Sequence, residues 1–156
     1  MDEFICREAH HDDIGAMSGI RLSVSENILS DPSKVTLADY ASYIEGAGKT
    51  WVAERAGCIV AFGSAHRSGL IWALFVRPGF EGRGLGQLIM EACLSWLEQK
   101  GVARGFLDTG AGTRAEDFYR AQGWREIGRE GGMIHFELAL PRVPPEIRPA
   151  RPASGA

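Results

Sequence analysis

The chain has 156 residues, of which 45% are hydrophobic and 24% are charged, and its formal net charge is −3. This length and composition predict a single globular domain whose core needs no disulfide or metal support. Because the longest apolar run, 70–76, is too short to span a bilayer and the body of the chain is acidic, we expect neither a membrane nor nucleic acid as partner.

The N-terminal part of the chain predicts a short strand, two helices and a hairpin, in that order. Residues 4–8 form the expected strand, and Asp12 is the expected N-cap of a helix whose apolar residues recur at helical spacing. The second helix is expected to begin at Thr36, with Asp39 in a variant of the capping box, and to end at Gly46. The predicted strands of the hairpin are 50–55 and 58–66.

The middle of the chain contains a central strand and the clearest helix. Residues 70–76 show no polar alternation, which predicts a strand that is covered on both faces. Arg77-Pro78 ends this strand, because proline cannot continue the hydrogen-bond ladder. From residue 85 to residue 100 the apolar positions recur at i, i+3, i+4 and i+7, so this segment predicts an amphipathic helix that stops at Gly101.

The C-terminal part predicts one more strand, a short helix and a last hairpin. Residues 102–109 form the expected strand, and Thr113 and Glu116 are placed as a capping box for a helix that runs through Gln122. The predicted strands of the last hairpin are 124–130 and 133–140.

The order of these elements, β-α-α-β-β-β-α-β-α-β-β, predicts the fold class. We expect an α/β fold with a mixed central β-sheet and helices on both faces, formed by residues 1–140. Residues 141–156 contain five of the seven prolines and three arginines, which predicts a disordered Pro/Arg-rich tail. We find no internal repeats.

The cysteines bear on the cellular location. Cys6, Cys58 and Cys93 are odd in number and have no paired spacing, which argues against a disulfide framework or a structural metal site and favours the cytoplasm. We expect no secretory signal, because no basic N-terminal region leads into an apolar stretch. All three cysteines lie in apolar patterns and are expected to be buried and inert.

A glycine-rich turn precedes the long helix, with Gly82, Gly84 and Gly86 at alternate positions. Such a turn between a strand and a helix is a common anion site, because the first amides of a helix lack intrahelical partners and glycine has no Cβ to block them. The dinucleotide pattern G-x-G-x-x-G and the P-loop pattern both fail here, since Gln87 and Ile89 stand where the last glycine would be, and no Gly-Lys-Ser/Thr follows. The residues alone therefore leave two readings, an anion site of another kind or a turn without a ligand.

Two motifs identify a resemblance. The stretch VRPGFEGRGLGQLIM, residues 76–90, resembles the acyl-CoA-binding signature of the GNAT N-acetyltransferases, in which a strand ending in V-x-P leads to R/Q-x-x-G-x-G/A and a helix. The stretch AEDFYRAQGW, residues 115–124, is similar to the family's A-x-x-x-Y-x-x-x-G-F/W element at the expected distance. The predicted order of elements is also that of the family. The resemblance therefore covers about residues 3 to 140 and implies the GNAT-type acyl-CoA N-acyltransferase fold.

The resemblance implies an enzyme that moves an acetyl group from acetyl-CoA, without a metal, to a primary amine of a small molecule or protein by direct attack in a ternary complex. The amides of the glycine-rich turn would bind the CoA pyrophosphate, with Arg83 or Arg77 near the phosphates. The strand before the turn would pair with the pantetheine arm, the N–H of Val76 would polarise the thioester carbonyl, and Tyr119 would protonate the departing sulfur as the catalytic residue. The implied cofactor-binding residues are Leu74, Phe75, Val76, Gly82, Arg83, Gly84, Leu85, Gly86 and Gln87.

Several points depart from the family pattern or stay open. Glu81 occupies a position that is Arg or Gln in the family, where a carboxylate weakens CoA binding unless it turns to solvent or pairs with Arg83, and Gly112 replaces an Asn. The strand 70–76 has no ionisable residue. The candidates for the general base are Asp108, His66, Glu26, Glu45 and water. The rival hypothesis is a non-catalytic acyl-CoA-binding or sensor protein of the same fold.

The acceptor and the oligomer are not specified by any motif. We expect the four tryptophans in the core, with the alternative that Trp72 lines the acceptor site. A homodimer through the C-terminal hairpin is a further expectation from the family.

Overall fold

The structure is a computed structural model that describes residues 4–23, 41–44 and 46–142. Its strands are β1 (Ile5–Glu8), β2 (Gly48–Arg55), β3 (Cys58–His66), β4 (Ile71–Val76), β5 (Arg104–Gly110), β6 (Arg125–Glu130) and β7 (Met133–Ala139). Its helices are α1 (Ile14–Ser23), α2 (Leu85–Gln99) and α3 (Arg114–Ala121). Residues 41–44 are also helical, and most of the predicted second helix lies outside the described residues. No helix in these ranges combines the length and apolarity needed to cross a bilayer.

Two antiparallel sheets meet where β4 lies beside β5. The first has the strand order β1-β2-β3-β4 and the second the order β5-β7-β6. A parallel bridge between Leu70 and Phe106 joins the sheets at the start of β4. Within the described ranges β4 and β5 pair nowhere else, so a gap opens between their C-terminal halves. The α/β fold class is confirmed. Among the described residues, the Leu70–Phe106 bridge is the one parallel contact between strands, and all other strand pairs are antiparallel.

Helices cover both faces of the first sheet, as predicted. Alternate residues of β3 point to opposite faces, so Ala61 joins the core under α2 and Phe62 joins the core under α1. Met17 and Ile20 of α1 are fully buried against Phe62. On the other face α2 lies so close to β3 that a Cβ at Gly63 would be 2.4 Å from Ile89 Cγ2, which explains a glycine in the middle of this strand.

The start of α1 differs from the prediction that Asp12 is its N-cap. A 3-10 turn, His11–Asp13, leads into α1, with His10 as its N-cap. The backbone N–H of His10 donates to Asp13 Oδ2 at 2.7 Å, and the Arg7 guanidinium donates to both Asp13 oxygens at 2.9 and 3.1 Å. Arg7 on β1 therefore fixes the Asp13 carboxylate at the start of α1. The hydrogen bonds from Arg7 lower the pKa of the Asp13 carboxyl group.

The cysteines do not share one environment, although the prediction placed all three in the interior. Cys93 is buried in α2 and Cys6 is half-buried, and burial raises the pKa of both thiols. Cys58 is exposed, because it is the first residue of β3 and directly follows the hairpin turn at Ala56-Gly57. The prediction of a buried thiol is therefore wrong for Cys58.

The C-terminal end of the described chain is fixed to α2. The Arg142 guanidinium donates to Glu98 and Glu91 at 2.8 Å each, and the Arg142 backbone N–H also donates to Glu98 at 2.8 Å. These contacts lie just beyond the predicted domain boundary at residue 140. The remainder of the predicted tail, 143–156, lies outside the described residues.

Candidate active site

A cavity of about 810 Å³ opens where β4 and β5 separate. Its walls come from β4, β5, α3, the start of α2 and the glycine loop, which we define as residues 77–84. Tyr119 and Leu85 contribute from the α2 side of the sheet, whereas Arg21 and Phe75 contribute from the α1 side. The cavity therefore connects the two faces, so that ligands entering from opposite sides can meet between the strands.

The glycine loop presents bare backbone to this cavity. Gly82 and Gly84 have φ values of +75° and +79°, and a Cβ at either position would meet no atom within 4 Å. Gly84 is the N-cap of α2 and offers no side-chain acceptor, and the first turn of the helix has no acidic residue. The N–H of Leu88 donates to the Gly84 carbonyl at 3.0 Å. The three preceding amides, 85–87, consequently have no helical acceptor and carry the positive end of the helix dipole.

Glu81 contacts Gly79 and Arg114, whereas Arg83 is the partner considered from the sequence. Its Oε1 accepts from the Gly79 N–H at 2.8 Å, and its Oε2 lies 3.4 Å from Arg114 Nη1 on α3. The pKa of Glu81 is lowered by hydrogen bonds from the backbone N–H groups of Glu81 itself and of Gly79, and to a lesser extent by Arg114. Arg83 instead lies over the Phe80 ring, 5.3 Å from its centroid. The carboxylate thus fixes the loop while placing a negative charge in the wall of the cavity.

Tyr119 lies on the α2 side of the cavity and is 6% exposed. Its ring packs against Phe118, Trp124 and Phe136 at centroid distances of 5.4, 6.0 and 6.1 Å. Burial raises the pKa of the Tyr119 phenol above its ordinary value. The hydroxyl therefore keeps its proton at neutral pH and can donate it, but it cannot serve as a base.

The helix that carries Tyr119 starts with one half of the predicted capping box. Thr113 Oγ1 accepts from the Glu116 N–H at 3.2 Å, as expected. The Glu116 carboxylate, however, accepts from the N–H of Gly112 at 2.8 Å rather than from that of Thr113. Gly112 has a φ of +78°, which turns its amide toward the helix and lets Glu116 satisfy it.

Of the predicted base candidates that the structure describes, Asp108 of β5 lines the cavity. Its Oδ1 lies 2.5 Å from Nδ1 of His135, which is paired with Asp108 across β5 and β7. This contact raises the pKa of His135. His66 lies at the end of β3, 2.9 Å from Ser68 Oγ, and is not part of the cavity wall. Glu26 and Glu45 lie outside the described residues.

The α1 side of the cavity contains two further residues of interest. Trp72 is half-buried in the cavity wall and stacks on Tyr43, with ring centroids 4.3 Å apart and an interplanar angle of 8°. Arg21 lines the same side and is only 9% exposed. The sequence did not single out Arg21 or His135. The other three tryptophans pack with the core under α2, as predicted.

Comparisons with known proteins identify the family of this chain. Residues 19–124 match the model of the acetyltransferase (GNAT) family. No curated protein matches the sequence.

Several solved structures share the fold at low sequence identity. The PaiA N-acetyltransferase of Thermoplasma acidophilum, in complex with coenzyme A, has a TM-score of 0.76 and 12% identity over 88% of this chain and 99% of that chain. The ribosomal-protein-S18-alanine N-acetyltransferase of Escherichia coli has a TM-score of 0.73 and 18% identity over 94% and 99%. A GNAT acetyltransferase of Staphylococcus aureus has a TM-score of 0.78 and 17% identity over 88% and 99%. These likenesses establish the fold, and because the family match extends over more than half of the sequence, the chain belongs to the GNAT family of acetyltransferases.

Proposed function

We propose that this protein is an acetyl-CoA-dependent N-acetyltransferase that moves an acetyl group to a primary amine of a small molecule or protein by direct attack in a ternary complex. The observation that carries the proposal is the uncapped first turn of α2 at the mouth of a cavity that connects both faces of the sheet. Unpartnered amides and a helix dipole suit a diphosphate, which supports acetyl-CoA as the co-substrate.

The residues present fit two parts of this ligand, the pyrophosphate and the pantetheine arm. The amides of 82–87 would bind the pyrophosphate, and the open space at Gly82 and Gly84 leaves room for it. β4 pairs with β3 along one edge, and within the described ranges its other edge pairs only through Leu70. The backbone of 74–76 can therefore hydrogen-bond to the pantetheine amides as an added strand would.

The transfer needs the acceptor ammonium to lose a proton and the departing sulfur to gain one. We assign the second task to Tyr119, whose phenol keeps its proton at neutral pH. We assign the first task to Asp108, because it is the described base candidate that lines the cavity. The ammonium first loses one proton to become the attacking amine. The C–N bond then forms, the thioester C–S bond breaks and the nitrogen loses a second proton, so that sulfur gains one proton and one is released to solvent overall.

An assay of CoA thiol release with a panel of amines tests the proposal. Turnover that depends on both acetyl-CoA and an amine is the expected result. Tight binding of acetyl-CoA without turnover on any amine would instead favour the non-catalytic sensor. Absence of any thermal shift with acetyl-CoA would remove the binding site altogether.

Asp108→Asn should lower kcat/KM for an accepted amine about fivefold at pH 7, because the amide cannot take the proton and water replaces it only in part. Its Kd for acetyl-CoA should stay unchanged. His66→Asn is the matched control, since His66 is the other described base candidate and does not line the cavity. Equal losses in both variants, or none in Asp108→Asn, would remove Asp108 from this role.

Glu81→Gln should bind acetyl-CoA about two- to fivefold more tightly at low salt, because it removes a negative charge beside the phosphate position. The Gln carbonyl can still accept from the Gly79 N–H, so the loop keeps its shape. Titration calorimetry at low and high NaCl measures the effect, which should shrink with salt. Glu126→Gln changes the net charge equally but lies outside the cavity wall, and it should leave the Kd unchanged. Weaker binding by Glu81→Gln would show that the ionised carboxylate supports the loop more than it repels the ligand.

Two predictions from the sequence accompany this proposal. A homodimer through the β6–β7 hairpin can be checked by light scattering.

The cytoplasmic location rests on the unpaired cysteines, and Cys6, Cys58 and Cys93 are all free thiols in the structure.

A further inference from the structure

We infer that Phe80 is a positioning residue for acetyl-CoA, because its ring fixes the glycine loop to β2 and holds the Arg83 guanidinium beside the amides of that loop. This inference rests on the proposed binding of acetyl-CoA. It concerns a residue that lies between the fixed positions of the acyl-CoA-binding signature. It follows from the burial of Phe80, the groups that its ring contacts and the backbone of the loop around it.

Phe80 is the one residue of the glycine loop that is not exposed. Residues 77–79 and 81–84 are exposed, whereas Phe80 is half-buried and packs against the core under α2. The same residue lines the cavity. The ring therefore supplies the hydrophobic contact between this loop and the body of the protein, at the edge of the site.

Two guanidinium groups lie close to the Phe80 ring. The Cζ atom of Arg55 on β2 is 5.0 Å from the ring centroid, and the Cζ atom of Arg83 is 5.3 Å from it. The Phe4 ring meets the Phe80 ring edge-on at 6.4 Å between centroids, and Arg55 lies 5.2 Å from the Phe4 centroid. We call Phe4, Arg55, Phe80 and Arg83 the aromatic–arginine cluster. Because cation–π contacts at these distances are attractive, the cluster joins the glycine loop to β2 and to the segment before β1.

The backbone of the loop is weakly constrained by its own residues. Gly79, Gly82 and Gly84 have φ values of +96°, +75° and +79°, and glycine loses more conformational freedom on ordering than any other residue. Phe80 lies between the first two of these glycines, and its N–H donates to the Arg77 carbonyl at 3.0 Å. A loop that is ordered before its ligand arrives does not have to be ordered by the ligand. Loss of the ring should therefore appear as weaker binding.

Arg83 is the charged side chain that the ring positions. Within the part of the chain that the structure describes, its guanidinium contacts the Phe80 ring and forms no ion pair or hydrogen bond. Its N–H donors are consequently available for phosphate oxygens. Since Gly82 and Gly84 flank it, the guanidinium belongs to the same turn as the amides proposed to bind the pyrophosphate. The contact with the ring restricts this long side chain and so lowers the entropy that it loses on binding.

Calorimetry with acetyl-CoA and steady-state thiol release by the full chain test this role. Phe80→Leu should raise the Kd and the KM for acetyl-CoA about fivefold or more, because the loop and Arg83 must then be ordered on binding. Its kcat at saturating acetyl-CoA and amine should change less than about twofold, since only binding is affected. Phe80→Tyr keeps the ring and should bind like the wild type.

The outcomes of this test separate the inference from the proposed function. An unchanged Kd in Phe80→Leu, or a Kd in Phe80→Tyr as weak as that of Phe80→Leu, overturns the inference and leaves the acetyl-CoA proposal intact. If the wild type itself does not bind acetyl-CoA, both are overturned.

Phe4→Leu is the matched control. It removes a ring from the same cluster, but Phe4 lies before β1 and does not line the cavity. This variant should lose about as much thermal stability as Phe80→Leu, while its Kd for acetyl-CoA stays within about twofold of the wild type. Equal losses of affinity in both variants would mean that general loosening of the cluster weakens binding, and they would overturn the assignment to Phe80.

Arg83→Gln measures the link between the ring and the guanidinium. In the wild-type background it should raise the Kd for acetyl-CoA about threefold or more, because a charge-assisted contact to phosphate is lost. In the Phe80→Leu background the same change should cost less than about twofold, since the guanidinium is no longer held in place and neighbours that act through one another give non-additive effects. Strictly additive losses would show that the ring does not position Arg83 and would overturn the inference.

Discussion

Tyr119→Phe should lower kcat at saturating acetyl-CoA and amine by about tenfold or more, because the variant has no proton to give the departing sulfur. Binding of acetyl-CoA should survive, since the amides proposed to bind the pyrophosphate lie in the glycine loop and the first turn of α2, not in α3. The Phe ring keeps the packing against Trp124 and Phe136, so the fold should be retained. Steady-state thiol release gives kcat, and calorimetry gives the Kd.

The pH profile provides an independent measure of the same proton. A general acid loses activity as the pH rises through its pKa, and burial raises the pKa of Tyr119 above the ordinary tyrosine value of about 10. The kcat of the wild type should therefore show no descending limb from this group up to about pH 10. An unchanged kcat in Tyr119→Phe would remove this hydroxyl from the mechanism.

The elements that the sequence locates well carry their signals within themselves. The sequence predicts β4 at 70–76, and the structure has Ile71–Val76, because a continuous apolar run meets a proline at its end. It predicts α2 at 85–100, and the structure has Leu85–Gln99. The apolar periodicity of the helix and the glycine that ends it, Gly101, lie in one continuous stretch of sequence, so both signals are local. The glycine loop between them is equally local, which is why its anion-binding character can be read from the residues.

The parts of the site that escape sequence analysis depend on pairing between distant segments. His135 faces Asp108 because β7 lies between β5 and β6, so that residues 27 positions apart become partners across two strands. Neither the strand order nor the register is encoded in local periodicity. Arg21 likewise looks like an ordinary polar position of an amphipathic helix, and only the gap between the two sheets turns that position into a cavity wall.

The same argument explains the error at the start of α1 and the partner that Glu81 takes. The sequence predicts Asp12 as the N-cap of α1, whereas His10 is the N-cap and Arg7 on β1 binds Asp13, the last residue of the 3-10 turn. Glu81 finds Arg114 on α3 rather than its neighbour Arg83. In both cases the carboxylate contacts an arginine from another element of the fold, which local sequence patterns do not reveal.

Gly84→Ala should raise the Kd for acetyl-CoA by about tenfold or more, because the methyl group would stand where the amides of the first turn of α2 meet the pyrophosphate. Gly84 has a φ of +79° and no atom within 4 Å of an added Cβ, so the methyl group projects into open space. The left-handed conformation also costs alanine about 1 kcal/mol, which should lower the Tm by several degrees. Calorimetry and thermal unfolding measure the two effects separately.

Gly101→Ala at the other end of α2 separates lost binding from lost stability. Gly101 has a φ of +75° and likewise no atom within 4 Å of an added Cβ, so the alanine variant meets the same backbone strain. It lies outside the cavity wall and should lose a similar amount of stability while binding acetyl-CoA like the wild type. If both variants lose affinity equally, the loss reflects destabilisation of α2. If Gly84→Ala binds like the wild type, the diphosphate does not lie at the start of this helix, and the acetyl-CoA proposal loses the observation that carries it.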